Sequence, residues 1–220
     1  SHYNGANQPG RAEEVAKNYI YKCDSTNLYI NKEYAYSLFM QFKYDEAIPK
    51  YEKLIAQGFD NFESNFILGL CYEDQPDNEK ALKHYQKAVL FKSDNATCLF
   101  HLALVEKAFN MDSLSMAHFN QSLEVSLPKG RALRTYKWLA DLHFQHHRYT
   151  DAARDFELCT LYDEEDNPLN YYNAAQMFIA SKNKLKAKLY LQMFLANANR
   201  LEDKKEAAQL ISKAKEQLKQ

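Results

Sequence analysis

The run His143, Phe144, Gln145, His146, His147 is the densest set of metal-capable side chains in the sequence. His143 and His147 stand four apart, the spacing that places two imidazoles on one helix face, and Asp141 and Asp151 lie close by. A hydrolytic zinc helix also needs a glutamate directly after the first histidine, and Phe144 stands there instead. The run reads as helix-end histidines entering a turn, and no metal is expected. The four cysteines, Cys23, Cys71, Cys98 and Cys159, form no CxxC and match neither a zinc site nor a disulfide framework, so they are expected to be small buried apolar residues. There is no glycine-rich phosphate loop and no GxSxG. The sequence predicts no enzyme and no cofactor.

A second cluster has different chemistry. Arg131, Arg134 and Lys137 stand beside Trp138, the only tryptophan. Guanidinium, ammonium and indole together suit an acidic or aromatic segment of a partner, through charge-assisted hydrogen bonds and cation–π contact. The plainer reading is a solvated helix face.

The elements that would position these side chains follow from bulk composition. The chain has 220 residues, 46% hydrophobic and 26% charged, with a net charge of −1. Near-neutrality argues against a nucleic-acid partner, which requires a basic face. No apolar run approaches the roughly 18 residues of a membrane helix. Only five glycines and five prolines punctuate the chain, so long helices are expected.

Those helices repeat. Ala47, Ala81 and Ser115 step by 34 residues, each followed four residues later by an aromatic: Tyr51, Tyr85, Phe119. Ala35, Gly69 and Ala103 share the step, each preceded by Tyr34, Leu68 or Leu102. A fourth copy, with Leu139, Ala140, Ala152 and Phe156, is displaced by three residues near Leu127–Gly130. A fifth holds Ala174, Ala175, Ala187 and Leu191.

These columns resemble the tetratricopeptide repeat family over residues 28–199, the second unit best: Leu68, Gly69, Tyr72, Ala81, Tyr85, Ala88. The family's early tryptophan is absent from its usual place, with Trp138 two positions late, and its closing proline is missing. Glu106 and His143 occupy the column of Tyr72. The resemblance implies an all-α fold, a right-handed α-solenoid of antiparallel helix pairs. It also explains a glycine inside a helical run, which costs about 1 kcal/mol against alanine: a small residue lets paired helices approach, with Ala81 expected to face Gly69.

The predicted organisation is a polar leader over 1–10, a flanking helix over 11–23 with Ala12, Val15, Ala16, Tyr19 and Ile20 on its buried face, and five helix pairs. The pairs are 28–42 with 45–57, 62–74 with 78–92, 95–109 with 112–126, 130–146 with 149–162, and 168–182 with 184–198. Asp45, Asp60-Asn61, Asp94-Asn95 and Asn167 mark helix starts, Pro168 takes a first helical position and Pro49 falls in a first turn. Residues 200–220 form an amphipathic capping helix through Leu201, Ala208, Leu210, Ile211, Ala214 and Leu218; the rival role is a docking helix for another protein.

In the family the first helix of each pair lines a concave groove. Carried onto this sequence, its columns fall on Tyr29, Lys32, Tyr36 and Phe39; on Glu63, Phe66, Leu70 and Glu73; on Thr97, Phe100, Leu104 and Lys107; on Arg134, Lys137, Asp141 and Phe144; and on Leu169, Tyr172, Gln176 and Ile179. The first three sets are rich in apolar and aromatic residues, the makeup of contact surfaces. The family's clamp for chaperone carboxylates is not matched: Lys32 fits, but Tyr36 stands where asparagine belongs, and Ile67, Thr97 and His101 fill the remaining places. The expected function is non-catalytic: a scaffold that holds a peptide or helix of a protein partner in this groove, with Trp138 beside it. The alternative is self-association through the same surface. Compartment stays open. Cysteines without a pairing pattern favour a reducing interior, and a polar start at Ser1 favours a trimmed exported chain.

Overall fold

The computed structural model describes residues 8–23 and 26–219; the leader proposed for 1–10 therefore falls mostly outside the described residues. Among these residues there are twelve α-helices and no strand. They are α1 (Pro9–Lys22), α2 (Leu28–Met40), α3 (Tyr44–Ala56), α4 (Phe62–Asp74), α5 (Asn78–Phe91), α6 (Ala96–Ala108), α7 (Asp112–Val125), α8 (Lys129–Gln145), α9 (Tyr149–Tyr162), α10 (Pro168–Ala180), α11 (Lys184–Asn197) and α12 (Lys204–Gln217). Residues 1–118 and 119–220 form two compact units. The first has its core in α2–α6, around Leu38, Tyr51, Leu68, Tyr85 and Leu102. The second is built on Ala153, Ala174, Phe178, Leu191 and Phe194.

Local chemistry sets the helix starts. Asn61 accepts from the backbone N–H of Ser64 at 3.0 Å and Asn95 from that of Cys98 at 2.9 Å, each satisfying a donor that the helix leaves open. Asn167 accepts from Leu169 at 3.0 Å, and Pro168 follows at the first helical position. The expectations for α3 fail in two details. Lys43, not Asp45, is the capping position, and Asp45 sits in the first turn with its carboxylate bonded to the Gln75 amide. Pro49 lies beyond the first turn, so the helix lacks an internal N–H there.

One turn recurs between the helices of each pair. The N–H of Lys43 reaches back to the carbonyl of Leu38 at 3.0 Å, Asp77 to Tyr72 at 2.9 Å, Met111 to Glu106 at 2.9 Å, Arg148 to His143 at 2.8 Å, and Asn183 to Phe178 at 2.8 Å. This bond closes a Schellman-type helix end, which needs a left-handed residue just before the donor. Phe42, Asn110, His147 and Lys182 hold that conformation, at φ 59°, 56°, 58° and 61°.

In four of these five pairs the side chain of the residue whose carbonyl closes the turn meets one twelve positions on, in the next helix. Tyr72 stacks on His84 (5.6 Å, 12°), and its hydroxyl donates to Glu52 at 2.6 Å. Glu106 bonds His118 at 2.7 Å, His143 bonds Asp155 at 2.6 Å, and Phe178 packs on Tyr190 at 5.4 Å. Glu106 and His143 are thus compatible with the repeat because the partner changes with them.

Gly69 is buried, as its column requires. A Cβ at residue 69 would lie 2.5 Å from Cε1 of Tyr85 and 2.6 Å from Cδ1. The aromatic ring four residues beyond Ala81 leaves no room for a side chain there.

The helix at the N-terminus docks by a route that its apolar pattern hid. Val15 is 54% exposed and Tyr19 37%, while Glu13 is buried with Ala12 and Ala16. The Glu13 carboxylate accepts from Lys17 at 2.5 Å, Lys43 at 2.8 Å and Gln41 at 2.8 Å. Burial pushes its pKa up, but these three bonds outweigh burial and hold it at about 2 against an ordinary 4.5. For a depressed carboxyl the stabilisation is present above pH 4.5 and lost as the pH falls toward about 2. Amide exchange along α1 is therefore expected to quicken over that window relative to the core. Glu13→Gln should show the fast exchange already at neutral pH; equal exchange in the two proteins would remove Glu13 as the docking residue.

At the other end, α12 packs on the second core through Leu201, Leu210, Ile211, Leu218 and the buried Ala214. Ala207 is buried where Ala208 was expected; Ala208 is exposed.

Candidate interaction site

In the first unit, the expected groove columns are largely engaged by the protein itself. Lys32 on α2 pairs with Glu63 on α4 at 2.6 Å. Tyr36, Phe39, Phe66 and Leu70 are half-buried against the core. Phe66 stacks on Phe62 (5.5 Å, 17°) and meets the edge of His101 at 6.4 Å. The His101 Nδ1 lies 2.9 Å from Glu73, which also accepts from the Tyr85 hydroxyl at 2.5 Å. Leu104 is half-buried, and Phe100 is 1% exposed and belongs to the interior, which corrects its assignment as a partner contact. The helix bearing Phe100 buries residues on most of its circumference, so a groove column inside it does not stay open. Tyr29 is the clear exception, 75% exposed and edge-on to Phe59 at 5.8 Å.

The second unit is more open. A cavity of about 430 Å³ lies between α8 and α10, with α9 behind it. From α8 come Arg134, Lys137, Trp138 and Asp141, whose spacing keeps one helix face turned to the cavity. Phe156 of α9 and Leu169 of α10 add apolar surface, and Asn167, Asn170 and Asn173 add amides. Arg134 and Lys137 are exposed and Trp138 is half-buried. Asn170 is 3% exposed, and its amide donates to Asp163 at 2.5 Å. Asp163 also accepts from the backbone of Asn167 at 2.9 Å, which fixes this wall. Tyr172, expected in the groove, is half-buried, and its ring packs on Phe194 at 5.0 Å.

Sequence reasoning placed Arg131, Arg134, Lys137 and Trp138 together; the last three line one cavity and Arg131 is not in its lining. That reasoning missed the asparagines and Phe156. Their signal was faint: Asn167 read as a helix start, Asn170 and Asn173 belong to no motif, and Phe156 read as the repeat's aromatic.

The histidine run does not converge. His143 is buried on Asp155, His147 holds the left-handed turn and its Nδ1 lies 2.9 Å from the Tyr149 hydroxyl, and His146 is exposed. Asp151 pairs with Arg148 at 2.7 Å, and Asp141 lines the cavity. Cys71, Cys98 and Cys159 are buried, and burial pushes each thiol up to about 12, far from a nucleophilic thiolate. Cys23 is exposed, contrary to the expectation for all four. No described helix is long and apolar enough to cross a membrane.

A cleft with cations and an acid on one wall, amides on the other and aromatic surface between has what a peptide needs. Amides can bond a backbone, cations can meet acidic side chains and the aromatics can take an apolar anchor.

Comparison with known proteins follows from this geometry. Residues 35–96 match the family model described as Tetratricopeptide repeat. Among curated proteins none matches the sequence. The fold is shared with YrrB, described as "a TPR protein with an unusual peptide-binding site": TM-score 0.71, 15% identity, covering 91% of this chain and 99% of that one. It is shared with the C-terminal part of a TPR repeat-containing protein from Cytophaga hutchinsonii: TM-score 0.70, 15% identity, covering 90% of this chain and 78% of that one. PilF of Pseudomonas aeruginosa gives TM-score 0.67 and 15% identity, covering 96% of this chain and 93% of that one. At these identities the likeness carries the fold.

Proposed function

For a chain whose residues 35–96 are tetratricopeptide repeats and whose helix pairs follow that fold throughout, we propose a non-catalytic scaffold. It holds a segment of a protein partner in the cavity between α8 and α10. The observation that carries this reading is the meeting of Arg134, Lys137 and Trp138 with Asn173 around an open volume of about 430 Å³. Acidic side chains of the segment meet Arg134 and Lys137, an apolar one meets Trp138 and Phe156, and Asn173 bonds its backbone. Peptide binding in a protein of the same fold supports the choice of ligand. In the first unit the exposed Tyr29 is a secondary contact, with the half-buried groove residues Lys32, Tyr36, Phe39, Phe66, Leu70 and Leu104 of the same unit adding what surface they leave open. Nucleic acid has no part in this reading.

The test is affinity capture from native extract with the full chain and with Arg134→Glu/Lys137→Glu, both verified as helical. A partner kept by the first and lost by the second is the expected result. Equal retention would move the site elsewhere. The rival reading, self-association, draws on exposed apolar residues such as Leu90 at 86% and Phe91 at 53%. Light scattering that finds a monomer at every concentration removes it.

A further inference from the structure

The fifth repeat has a cavity of its own, about 420 Å³, at the junction of α10, α11 and α12. Its apolar lining includes Ile179, Leu191 and Leu218, and Lys182, Lys184 and Lys188 stand around it. The sequence around it is one-signed. Between Asp166 and Glu202 there is no acidic residue, while Lys182, Lys184, Lys186, Lys188 and Arg200 are all basic, in a chain whose net charge is −1.

Two of these cations have structural work. Lys186 pairs with Glu157 at 2.8 Å and Arg200 with Asp166 at 2.7 Å. Lys182, Lys184 and Lys188 pair with no carboxylate among the described residues. Their ammonium groups make no ion pair among the described residues, although the backbone of Lys182 closes the turn before α11. Lys184 and Lys188 are like charges at i, i+4, which repel. Lys184 is the first residue of α11, where the helix dipole disfavours a cation. Three uncompensated cations around an apolar hollow are complementary to an anionic, partly apolar ligand.

We propose that this cavity is a second docking site, for an acidic peptide segment bearing a large apolar side chain. The apolar group enters between Ile179, Leu191 and Leu218, and flanking carboxylates meet Lys182, Lys184 and Lys188. The hollow between Ile179, Leu191 and Leu218 has room for a single apolar side chain, which favours a segment; Leu185 and Leu189, exposed on α11, are the groups a membrane surface would meet instead, and the test separates the two. None of these residues lines the α8–α10 cavity, so the two sites fail independently.

The experiment is fluorescence anisotropy on the full chain with a fluorescein-labelled peptide, Glu-Asp-Glu-Leu-Phe-Glu-Asp-Glu. Saturable binding is expected, weakening as salt is raised. It should drop by about tenfold or more, roughly 1.4 kcal/mol, in Lys184→Glu/Lys188→Glu, and similarly when glycines replace the Leu-Phe of the peptide. Lys53→Glu/Lys83→Glu, a reversal of two exposed lysines in the first unit, should bind as the wild type does, and Arg134→Glu/Lys137→Glu should keep the component of binding that the Lys184/Lys188 variant loses. If the charge reversal disturbs the helical melt, Lys184→Gln/Lys188→Gln gives the same reading with a smaller loss. Absence of saturation, unchanged affinity in the lysine variants, loss only in the Arg134/Lys137 variant, or binding of phosphatidylglycerol vesicles without the peptide would each overturn the proposal.

Discussion

Gly69→Val is expected to destabilise the first unit by about 3 kcal/mol or more, a large part of the stability of an ordinary domain. Even the first added carbon would sit 2.5 Å from Cε1 of Tyr85 and 2.9 Å from Cζ. The ring has little freedom to yield. Tyr85 is fully buried, its hydroxyl is bonded to Glu73 at 2.5 Å, and its face is stacked on His101 at 5.9 Å. Moving the ring would break that bond and disturb Phe66, 6.2 Å away. Gly69→Ala should lose less, because alanine recovers about 1 kcal/mol of helix propensity against an overpacking cost of about 1–3 kcal/mol. Trimming the ring in Gly69→Ala/Tyr85→Leu should then cost less than the sum of the single changes. Urea unfolding measures all of these. A Gly69→Val protein as stable as the wild type would show that the ring does not fill this space.

His143→Leu is the second large effect, about 3–5 kcal/mol at neutral pH. His143 and Asp155 are each about 10% exposed at the side chain and 2.6 Å apart. Removing the imidazole leaves a carboxylate in the interior with its main partner gone. Burial already raises the Asp155 pKa to about 6 from 3.8, against the hydrogen bond and charge of His143, which lower it. For a raised carboxyl the contribution to stability is fully present below pH 3.8 and is lost as the pH rises through about 6. Without His143, which lowers it, the Asp155 pKa rises above 6, so the penalty of His143→Leu should shrink as the pH falls from alkaline values toward about 6, where the orphaned carboxyl has taken up a proton. His143→Leu/Asp155→Leu should recover most of the loss, since apolar side chains can replace a buried pair. A penalty that grows on acidification, or a double variant no better than the single one, would contradict this account.

The fold was legible because a repeat writes the same packing problem several times. Three columns at a step of 34 residues located the helix pairs, and Leu38, Ala47, Tyr51, Leu68, Ala81 and Tyr85 are all buried. Ser115 follows its column too: its hydroxyl is buried and bonds the Ala103 carbonyl at 2.8 Å. What escaped were polar side chains with inward duties. Glu13 docks α1 where an apolar pattern suggested Val15 and Tyr19, because three donors from neighbouring turns converge on it. Glu106 and His143 looked like departures, since their partners His118 and Asp155 lie in another helix and no local rule connects them.

The site was legible only in part. Arg134, Lys137 and Trp138 share one helix face, which spacing alone reveals. Phe100 and Tyr172 occupy groove columns but turn to neighbours, and how far a column is covered depends on the helix beside it. The lysines around the fifth-repeat cavity belong to no motif, and only the folded arrangement sets them around an apolar hollow.

The most direct test of the central claim is site-specific photo-crosslinking with a benzophenone amino acid, in native extract. One protein carries it in place of Asn173, in the α8–α10 cavity, and another in place of Leu161, exposed on α9 and outside the cavity lining. A partner crosslinked from position 173, absent from position 161 and competed by unlabelled wild-type chain is the predicted result. The same partner crosslinked from 161 and not from 173 would contradict the account and place the contact outside this cavity.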